Sequence, residues 1–419
     1  MAMTKKPVTG MKDILPQEMQ LRDYLIDLIK ETYRGFGFTP IETPCVESIG
    51  NLNCKAGGEN EKLIFKILKR GEKLKLEEAN EEIDLVDSGL RYDLTVPLCR
   101  YYSNNAAVLP APFKALQIGS VWRADRPQKG RFRQFTQCDI DILGEPSNLA
   151  EIELILATTT CLGKIGFKGF TVRINDRRIL KAMAAYAGFP EDQFDTVFII
   201  LDKMDKIAAQ GVAQELEEEG FAKESIEKYM ELFRELETVQ NGYDYLGQKL
   251  GEYLDSEVVD HMNMIADTVK NAMSGDFRLV FDPTLVRGMS YYTGTIFEIG
   301  VDGFPGSVAG GGRYDDMVGK FTGQKTCACG FSIGFERIIT ILMDEGFTAP
   351  NQAVKKAILL EKGLSTEKIT EAMKQAQELR AQGVCVLVAT KNKNVKFQKE
   401  QLAKDGYEDI TVVYAEALK

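Results

Sequence analysis

Four arginines crowd one short stretch of this chain, and three amide or acidic side chains follow them at alternate positions. Arg123, Arg126, Arg131 and Arg133 lie in LQIGSVWRADRPQKGRFRQFTQCDIDILG, residues 116–144, and Gln137, Asp139 and Asp141 lie near its end. Arginine presents a planar, permanently charged fork that suits carboxylate and phosphate. On a strand, Gln137, Asp139 and Asp141 share one face, while Cys138, Ile140 and Ile142 share the other. A polar sheet face of that kind is expensive unless it lines a site. Together these residues point to a ligand that is phosphorylated at one end and cationic at the other. Read alone, the stretch also fits a charged surface hairpin.

Side chains of the same chemistry recur elsewhere. In Arg91-Tyr92-Asp93-Leu94-Thr95-Val96-Pro97, Tyr92, Leu94 and Val96 alternate with Arg91, Asp93 and Thr95. That pattern predicts a strand with a carboxylate and a hydroxyl on one face, with a strand-end cap or surface ion pair as the alternative role of Asp93. Arg287-Gly288 precedes Tyr291-Tyr292-Thr293-Gly294. Adjacent tyrosines on a strand face opposite ways, so one can face a cavity and the other the core. The glycine run in AGGGRYD, residues 309–315, lets backbone approach a ligand, fits positive φ, or makes a plain turn. It is neither GxGxxG nor a P-loop. In ACGFSIGFERIITILM, residues 328–343, a glycine-rich strand runs into a helix with Glu336-Arg337 in its first turn. Gly330 and Gly334 leave flat space that, beside an arginine, fits an adenine ring near phosphates. Close helix–sheet packing would use the same glycines.

The elements that must position these groups are legible in outline. Residues 116–144 read as strand, polar turn, strand, with Pro127 and Gly130 in the turn. After GMKDILP, Leu21, Leu25, Leu28 and Ile29 make a helical stripe that ends at Gly35 and Gly37. FTPIETPCV, residues 38–46, is extended, and Pro40 and Pro44 assign it to an edge or interface. Residues 55–90 form a charged hairpin region, 149–162 a helix and 170–176 a strand. From 178 to 275 helical periodicity dominates, punctuated by glycines 188, 211, 220 and 242, which predicts an inserted helical domain. Strand texture returns at 277–300. Beyond Gly346 and Pro350, KAILLE, VCVLVA and DITVVY alternate with two helices, a small parallel α/β domain. Its first helix carries Ile369, Ala372, Met373, Ala376 and Leu379 on one face, and its second lies around Phe397 and Leu402. Lys391, Lys393, Lys396, Lys399 and Lys404 make the second helix region basic, either a phosphate-backbone patch or an ordinary solvated face.

Bulk properties set the class. With 419 residues, 44% hydrophobic and 27% charged, the chain reads as a soluble globular protein of two or three domains. A net charge of −10 argues against wholesale nucleic-acid coating and leaves room for a local basic groove. A single histidine, His261, excludes a His-based metal site. Eight cysteines, of which only Cys327 and Cys329 are close, read as reduced thiols of the cytosol. MAMTKKPVTG has no apolar run that would make a secretory signal, and no stretch has the length of a membrane-spanning helix.

Taken together, the motifs resemble one family, histidyl-tRNA synthetase, a class II aminoacyl-tRNA synthetase. GMKDILP and the segment ending at Pro44 look like its N-terminus and motif 1, the dimer strand. The Arg123 hairpin with RPQKGRFRQF looks like motif 2, and GFSIGFERI like motif 3. LVRGMSYYTG and GGGRYD look like the two peptides that set histidyl enzymes apart. The resemblance covers roughly residues 8–340. It implies an α+β fold: an antiparallel sheet flanked by helices, with a helical insertion and a small C-terminal α/β domain. The domains it implies are a catalytic domain of residues 1–177 and 276–343, an insertion of 178–275 and an anticodon-binding-like domain of 350–419.

The same resemblance implies the activity and the roles. Histidine carboxylate attacks the α-phosphate of ATP, with Mg2+ as the companion ion, and the histidyl group then passes to the 3′ end of tRNA-His. Arg123 and Arg287 match the catalytic α-phosphate arginines, and Arg123, Arg131 and Arg337 match the ATP ligands. Asp93, Thr95 and Gln137 match the positions that hold the α-amino group. Asp141, Tyr292 and Tyr314 match the imidazole pocket, and Arg287 and Tyr291 complete the implied histidine-binding set. No protein metal ligands are implied. A cytoplasmic homodimer without membrane attachment is. There are departures: Ser290 stands where aspartate is usual, Thr136 where His or Tyr is usual, and Asp125 where glutamate is usual. RYDLTVP resembles the eukaryotic and archaeal form, and the C-terminal domain matches poorly. Two other readings compete. One is a non-catalytic histidine-binding paralogue acting as regulatory subunit of ATP phosphoribosyltransferase. The other is a class II enzyme with different amino-acid specificity.

Overall fold

The computed structural model describes residues 3–53, 60–287, 291–350 and 353–415. The chain divides into two compact units, Met1–Phe347 and Thr348–Lys419. The expected oddity at Ser290 lies outside the described residues.

The first unit opens with helix α1 (Pro16–Gly35). Pro16 at its start has no N–H to leave unpaired. Leu21, Leu25 and Ile29 are buried along one stripe, and Gly37, at φ +82°, turns the chain away. Strands β1 (Thr39–Pro40) and β2 (Val46–Ser48), helix α2 (Ile49–Asn53), and strands β3 (Lys66–Leu68) and β4 (Val86–Leu90) come next. β2, β4 and β3 form a small antiparallel sheet. The strand predicted at 91–97 is absent. Helix α3 (Thr95–Asn105) begins there instead. The Asp93 carboxylate accepts hydrogen bonds from the N–H groups of Thr95 (3.0 Å) and Val96 (3.1 Å), and Pro97 sits in the first turn, where a missing donor is harmless.

Strands β5 (Phe113–Trp122) and β6 (Gln134–Leu143) are the predicted hairpin. Helix α4 (Leu149–Ile165) and strand β7 (Phe170–Asp176) lead to the helical stretch: α5 (Arg177–Ala187), α6 (Phe194–Leu201), α7 (Met204–Glu218), α8 (Lys223–Leu236), α9 (Gly242–Leu250) and α10 (Ser256–Ala272). Then come β8 (Phe277–Phe281), β9 (Thr295–Gly300), β10 (Ser307–Arg313), α11 (Asp315–Thr322), β11 (Ala328–Ile333) and α12 (Phe335–Asp344). The glycine run is therefore strand β10, not a turn. Tyr291 and Tyr292 precede β9 and do not lie on a strand.

Among the described residues, eight strands form one sheet in the order β1-β5-β6-β11-β10-β9-β7-β8. It is antiparallel except at its edges, where β1 runs parallel to β5 and β8 to β7. Pro40 thus sits on an edge strand, where its missing donor breaks no inner ladder. Cys138, Ile140, Ile142 and Phe331 turn one sheet face into a hydrophobic cluster that includes Leu25 and Ile29 of α1 and Leu154 and Ile155 of α4. The same cluster runs on into α5, α8 and α10, through Leu180, Tyr229 and Ile265. The opposite face carries the polar groups over part of its area and, over the rest, a second apolar cluster in which Phe113, Ala115, Leu143 and Ala328 pack with Leu98 and Met317.

The second unit holds β12 (Lys355–Leu360), α13 (Thr366–Ala381), β13 (Cys385–Thr390), α14 (Val395–Lys404) and β14 (Tyr407–Val413). Its parallel sheet runs β13-β12-β14. Ala372 and Ala376 are buried against Ile358 and Val386. The predicted stripe of α13 is only partly inward, because Ile369 and Met373 are exposed.

Candidate active site

The polar face of β6 sits over a cavity of about 310 Å³, large enough for a small-molecule ligand. Asp139 and Asp141 are buried on its floor. Register explains how they fit. On β11, Gly330 stands opposite Asp141 and Ser332 opposite Asp139. A Cβ on Gly330 would collide with Asp141 Oδ1. The flat space foreseen at Gly330 therefore holds the chain's own carboxylate, not open room for a ring. Tyr314, directly after β10, donates its hydroxyl to Asp141 Oδ1 at 2.6 Å. Burial first, and then Asp141, raise the Tyr314 phenol, so it remains a protonated donor.

Asp139 received no role from the sequence, although alternation put it on this face. Ser332 Oγ donates to its Oδ1 at 2.5 Å, and Gln137 Nε2 lies 3.4 and 3.3 Å from its two oxygens. Burial, and then the neighbouring Asp141, push the Asp139 carboxyl up to about 8. Ser332 was also missed. Its signal was its place two residues after Gly330 on a glycine-rich strand.

The cationic wall comes from several elements. Arg123, just after β5, lies over the Tyr92 ring (4.4 Å) and the Phe135 ring (5.1 Å), and donates to the Tyr92 carbonyl at 3.1 Å. Arg287 donates to Glu298 of β9 at 2.5 Å. Burial works against its charge, but Tyr292 and Glu298 hold its pKa above the usual value. Arg337, in the first turn of α12, donates to the carbonyl of Ser307 and, at 3.2 Å, to its hydroxyl. Burial lowers its pKa, and Arg131, Arg287 and Arg123 push the same way. Arg131 pairs with Asp125 at 2.9 Å at the exposed mouth. Arg287 and Arg131 have carboxylate partners, so Arg123 and Arg337 supply most of the positive charge of this wall.

Every predicted site residue lines this cavity: Asp93, Thr95, Arg123, Arg131, Gln137, Asp141, Arg287, Tyr291, Tyr292, Tyr314 and Arg337. Two of the four hairpin arginines do not. Arg126 is exposed, and Arg133 reaches the carbonyls of Asp125 (3.1 Å) and Thr9 (3.4 Å) to fasten the N-terminal segment. The two tyrosines do not diverge. Their ring centroids are 4.4 Å apart and the Tyr291 hydroxyl donates to that of Tyr292 at 3.2 Å. The backbone is not extended there, so strand alternation does not apply. The three glycines of β10 have no positive φ. They serve close approach instead. A Cβ on Gly310 would lie 2.7 Å from the Arg287 guanidinium carbon, and one on Gly312 2.9 Å from the Tyr292 ring. Among the described residues, no group of three or more His, Cys, Asp or Glu side chains could hold a metal ion, and no helix is long and apolar enough to cross a membrane.

The arrangement can bind a phosphorylated group at its cationic wall and a polar ring and ammonium on its carboxylate floor. Comparison with known proteins gives the same direction. The family model described as histidyl-tRNA synthetase matches residues 10–338. A histidine–tRNA ligase of Leifsonia xyli subsp. xyli (strain CTCB07) is 40% identical over 425 residues, covering 99% of this chain and 97% of that protein. The crystal structure of histidyl-tRNA synthetase from Nostoc sp. PCC 7120 aligns over 97% of this chain and 90% of that one, with a TM-score of 0.77 and 28% identity. A structure described as an ATP phosphoribosyltransferase regulatory subunit/histidyl-tRNA synthetase from Bacillus halodurans C covers all of both chains with a TM-score of 0.78. At 21% identity it speaks for the fold alone.

Proposed function

The chain belongs to the histidyl-tRNA synthetase family, and we propose that the cavity over β6, β10 and β11 is where it activates histidine with ATP. The activity is the ATP-dependent joining of histidine to tRNA, the ligase function that its relatives' names carry. The regulatory-subunit reading has less support, since it rests on a shared fold.

The observation that carries the site assignment is the meeting of four arginines and a buried Asp141–Tyr314 pair in one cavity. A carboxylate and a phenol can hydrogen-bond the two ring nitrogens of histidine. An apolar side chain would leave them unpaired, which is how such a floor excludes it. Gln137, Asp93 and Thr95 line the part assigned to the α-amino group. With the amino acid so held, its carboxylate points towards the arginines, where the ATP phosphates bind. The carboxylate oxygen attacks the α-phosphorus, the bond to the bridging oxygen of pyrophosphate breaks, and histidyl-adenylate forms. Such a step needs alignment and charge stabilisation more than a protein nucleophile. Arg123, fixed on two aromatic rings, and Arg287, fixed by Glu298, are the two groups assigned to the α-phosphate. Arg337 and Arg131 take the remaining phosphates. Mg2+ enters this reading as the ion that ATP carries on its phosphates.

In the second step the 3′-terminal ribose hydroxyl of tRNA-His attacks the histidyl carbonyl and AMP leaves. The second unit is the part assigned to the anticodon end. A homodimer through the edge strand β1 and a cytoplasmic location complete the reading. Buried free thiols at Cys99, Cys138, Cys161 and Cys329 suit a reducing compartment. The test is histidine-dependent ATP–pyrophosphate exchange without tRNA. Exchange with histidine alone among the amino acids supports the site. Histidine binding without exchange refutes it and restores the regulatory reading.

A further inference from the structure

The Gln137 side chain carries a buried carbonyl oxygen, Oε1, that has no hydrogen-bond partner among the described residues. Its other end is fully engaged. Nε2 lies 3.2 Å from Ser332 Oγ and 3.4 and 3.3 Å from the Asp139 oxygens. A buried acceptor without a donor is costly, and it marks the spot where a donor from a ligand lands. An amide can flip, exchanging its oxygen for its NH2 group at little cost in shape. Something must hold it with the oxygen towards the cavity.

We infer that Asp139 and Ser332 are a positioning pair for substrate, setting the Gln137 amide so that its carbonyl accepts a hydrogen bond from the α-ammonium of the bound amino acid. The inference rests on the reading of this cavity as a histidine site. Asp139 and Ser332 stand opposite each other in the register of β6 and β11. Their 2.5 Å hydrogen bond fixes the serine proton on the carboxylate. Once the nearby α-ammonium favours its ionised form, the Asp139 carboxylate offers only acceptors to Gln137, which can answer only with its NH2 group. The carbonyl is left facing the cavity, with the right polarity for an ammonium and the wrong one for a carboxylate.

Asp139→Asn tests this with almost no change of shape. The new amide can donate to Gln137, which permits the flipped orientation and turns NH2 towards the ammonium. Two histidine fragments separate the effect in direct binding measurements on the full chain. L-Histidinol keeps the amino group and the imidazole. Imidazolepropionic acid keeps the imidazole and the carboxylate but has no amino group. We expect Asp139→Asn to weaken histidinol by about tenfold or more, the worth of a charge-assisted hydrogen bond, and imidazolepropionate by less than about twofold. Ser332→Ala moves histidinol the same way by roughly threefold, since Asp139 still holds the amide. In a Gln137→Ala background, Asp139→Asn adds nothing. Equal loss of both ligands, or an undiminished effect of Asp139→Asn in the Gln137→Ala background, overturns the inference. An unsubstituted chain that binds neither ligand refutes the histidine-site reading as well. One that binds both, with an Asp139→Asn variant unchanged towards histidinol, refutes only the positioning role.

Discussion

Gly310→Ala isolates the role assigned to Arg287 without replacing any charged group. Gly310 has no positive φ, so alanine fits its backbone. The new methyl would sit 2.7 Å from the guanidinium carbon and Nη1 of Arg287, and 2.8 Å from Nη2. Ordinary contact begins near 3.4 Å, so the guanidinium must retreat by about 0.7 Å. It is the far end of a long side chain, and the fold can absorb that movement together with its Glu298 partner. Stability should change by less than about 1 kcal/mol, with the lost chain entropy of glycine working in the variant's favour. Catalysis should not absorb it. A displacement of about 1 Å in a catalytic group lowers rates roughly 10²-fold, and outright loss of a stabilising donor costs about 10²–10³. The expected result is a fall of roughly 10² in histidine-dependent ATP–pyrophosphate exchange, with the melting temperature nearly unchanged. Arg287→Ala should fall at least as far, with a smaller effect on ATP affinity, because the role assigned to the group lies mainly in the transition state. The double variant should match Arg287→Ala alone. Exchange within about threefold of wild type in Gly310→Ala, or a further tenfold loss in the double variant, would refute the reasoning.

Three other outcomes follow from the same geometry. Asp141→Ala removes the acceptor of the Tyr314 hydroxyl and one of the two groups assigned to the imidazole, so the KM for histidine should rise by about 10²-fold; an unaltered KM sinks the assignment. Arg313→Met strands Glu151, which is 1% exposed and takes two 2.7 Å bonds from that arginine; the chain should lose about 3–5 kcal/mol in denaturant unfolding, and a loss below about 1 kcal/mol would show the pair to be dispensable. Asp139 titrates near 8 in the folded chain against an ordinary 3.8. The folded state therefore binds the extra proton, and this group's contribution to stability falls as pH rises from about 4 to 8 and is flat above. Asp139→Asn has no such proton, so its melting temperature should gain on wild type across that window. A constant difference would show that Asp139 is not held neutral.

Much of this site was legible because strand periodicity is strict. Gln137, Asp139 and Asp141 fell on one face by counting alone, and β6 places them there. The failures come where backbone is not extended. Tyr92, Leu94 and Val96 alternate like a strand, but five residues of alternation also fit a loop entering a helix. The deciding signals were Asp93 as a cap and Pro97 in a first turn. The Tyr291–Tyr292 contact had no local signal, since it depends on β10 and Arg287 packing beside it. Arg126 and Arg133 looked like Arg123 and Arg131 because a loop of known residues but unknown course gives no direction to its side chains.

The glycines carry a lesson that sequence could state only in part. They announced that something approaches the backbone closely, and a ligand was the natural guess. The register shows two rows across the sheet. One runs Asp139, Ser332, Gly310, Glu298, and the other Asp141, Gly330, Gly312. In the first, the gap at Gly310 is filled by Arg287, whose ion pair is with Glu298 in the same row. In the second, Gly330 makes room for Asp141 and Gly312 for Tyr292. Each missing Cβ thus admits a side chain of the site rather than the ligand itself. A larger residue at Gly310 or Gly330 would displace a charged side chain of the site, while one at Gly312 would also press on the Thr295 carbonyl of β9, 2.6 Å from its Cβ. The site is consequently more fragile than the fold that carries it, and its glycines belong to its chemistry as much as its arginines do.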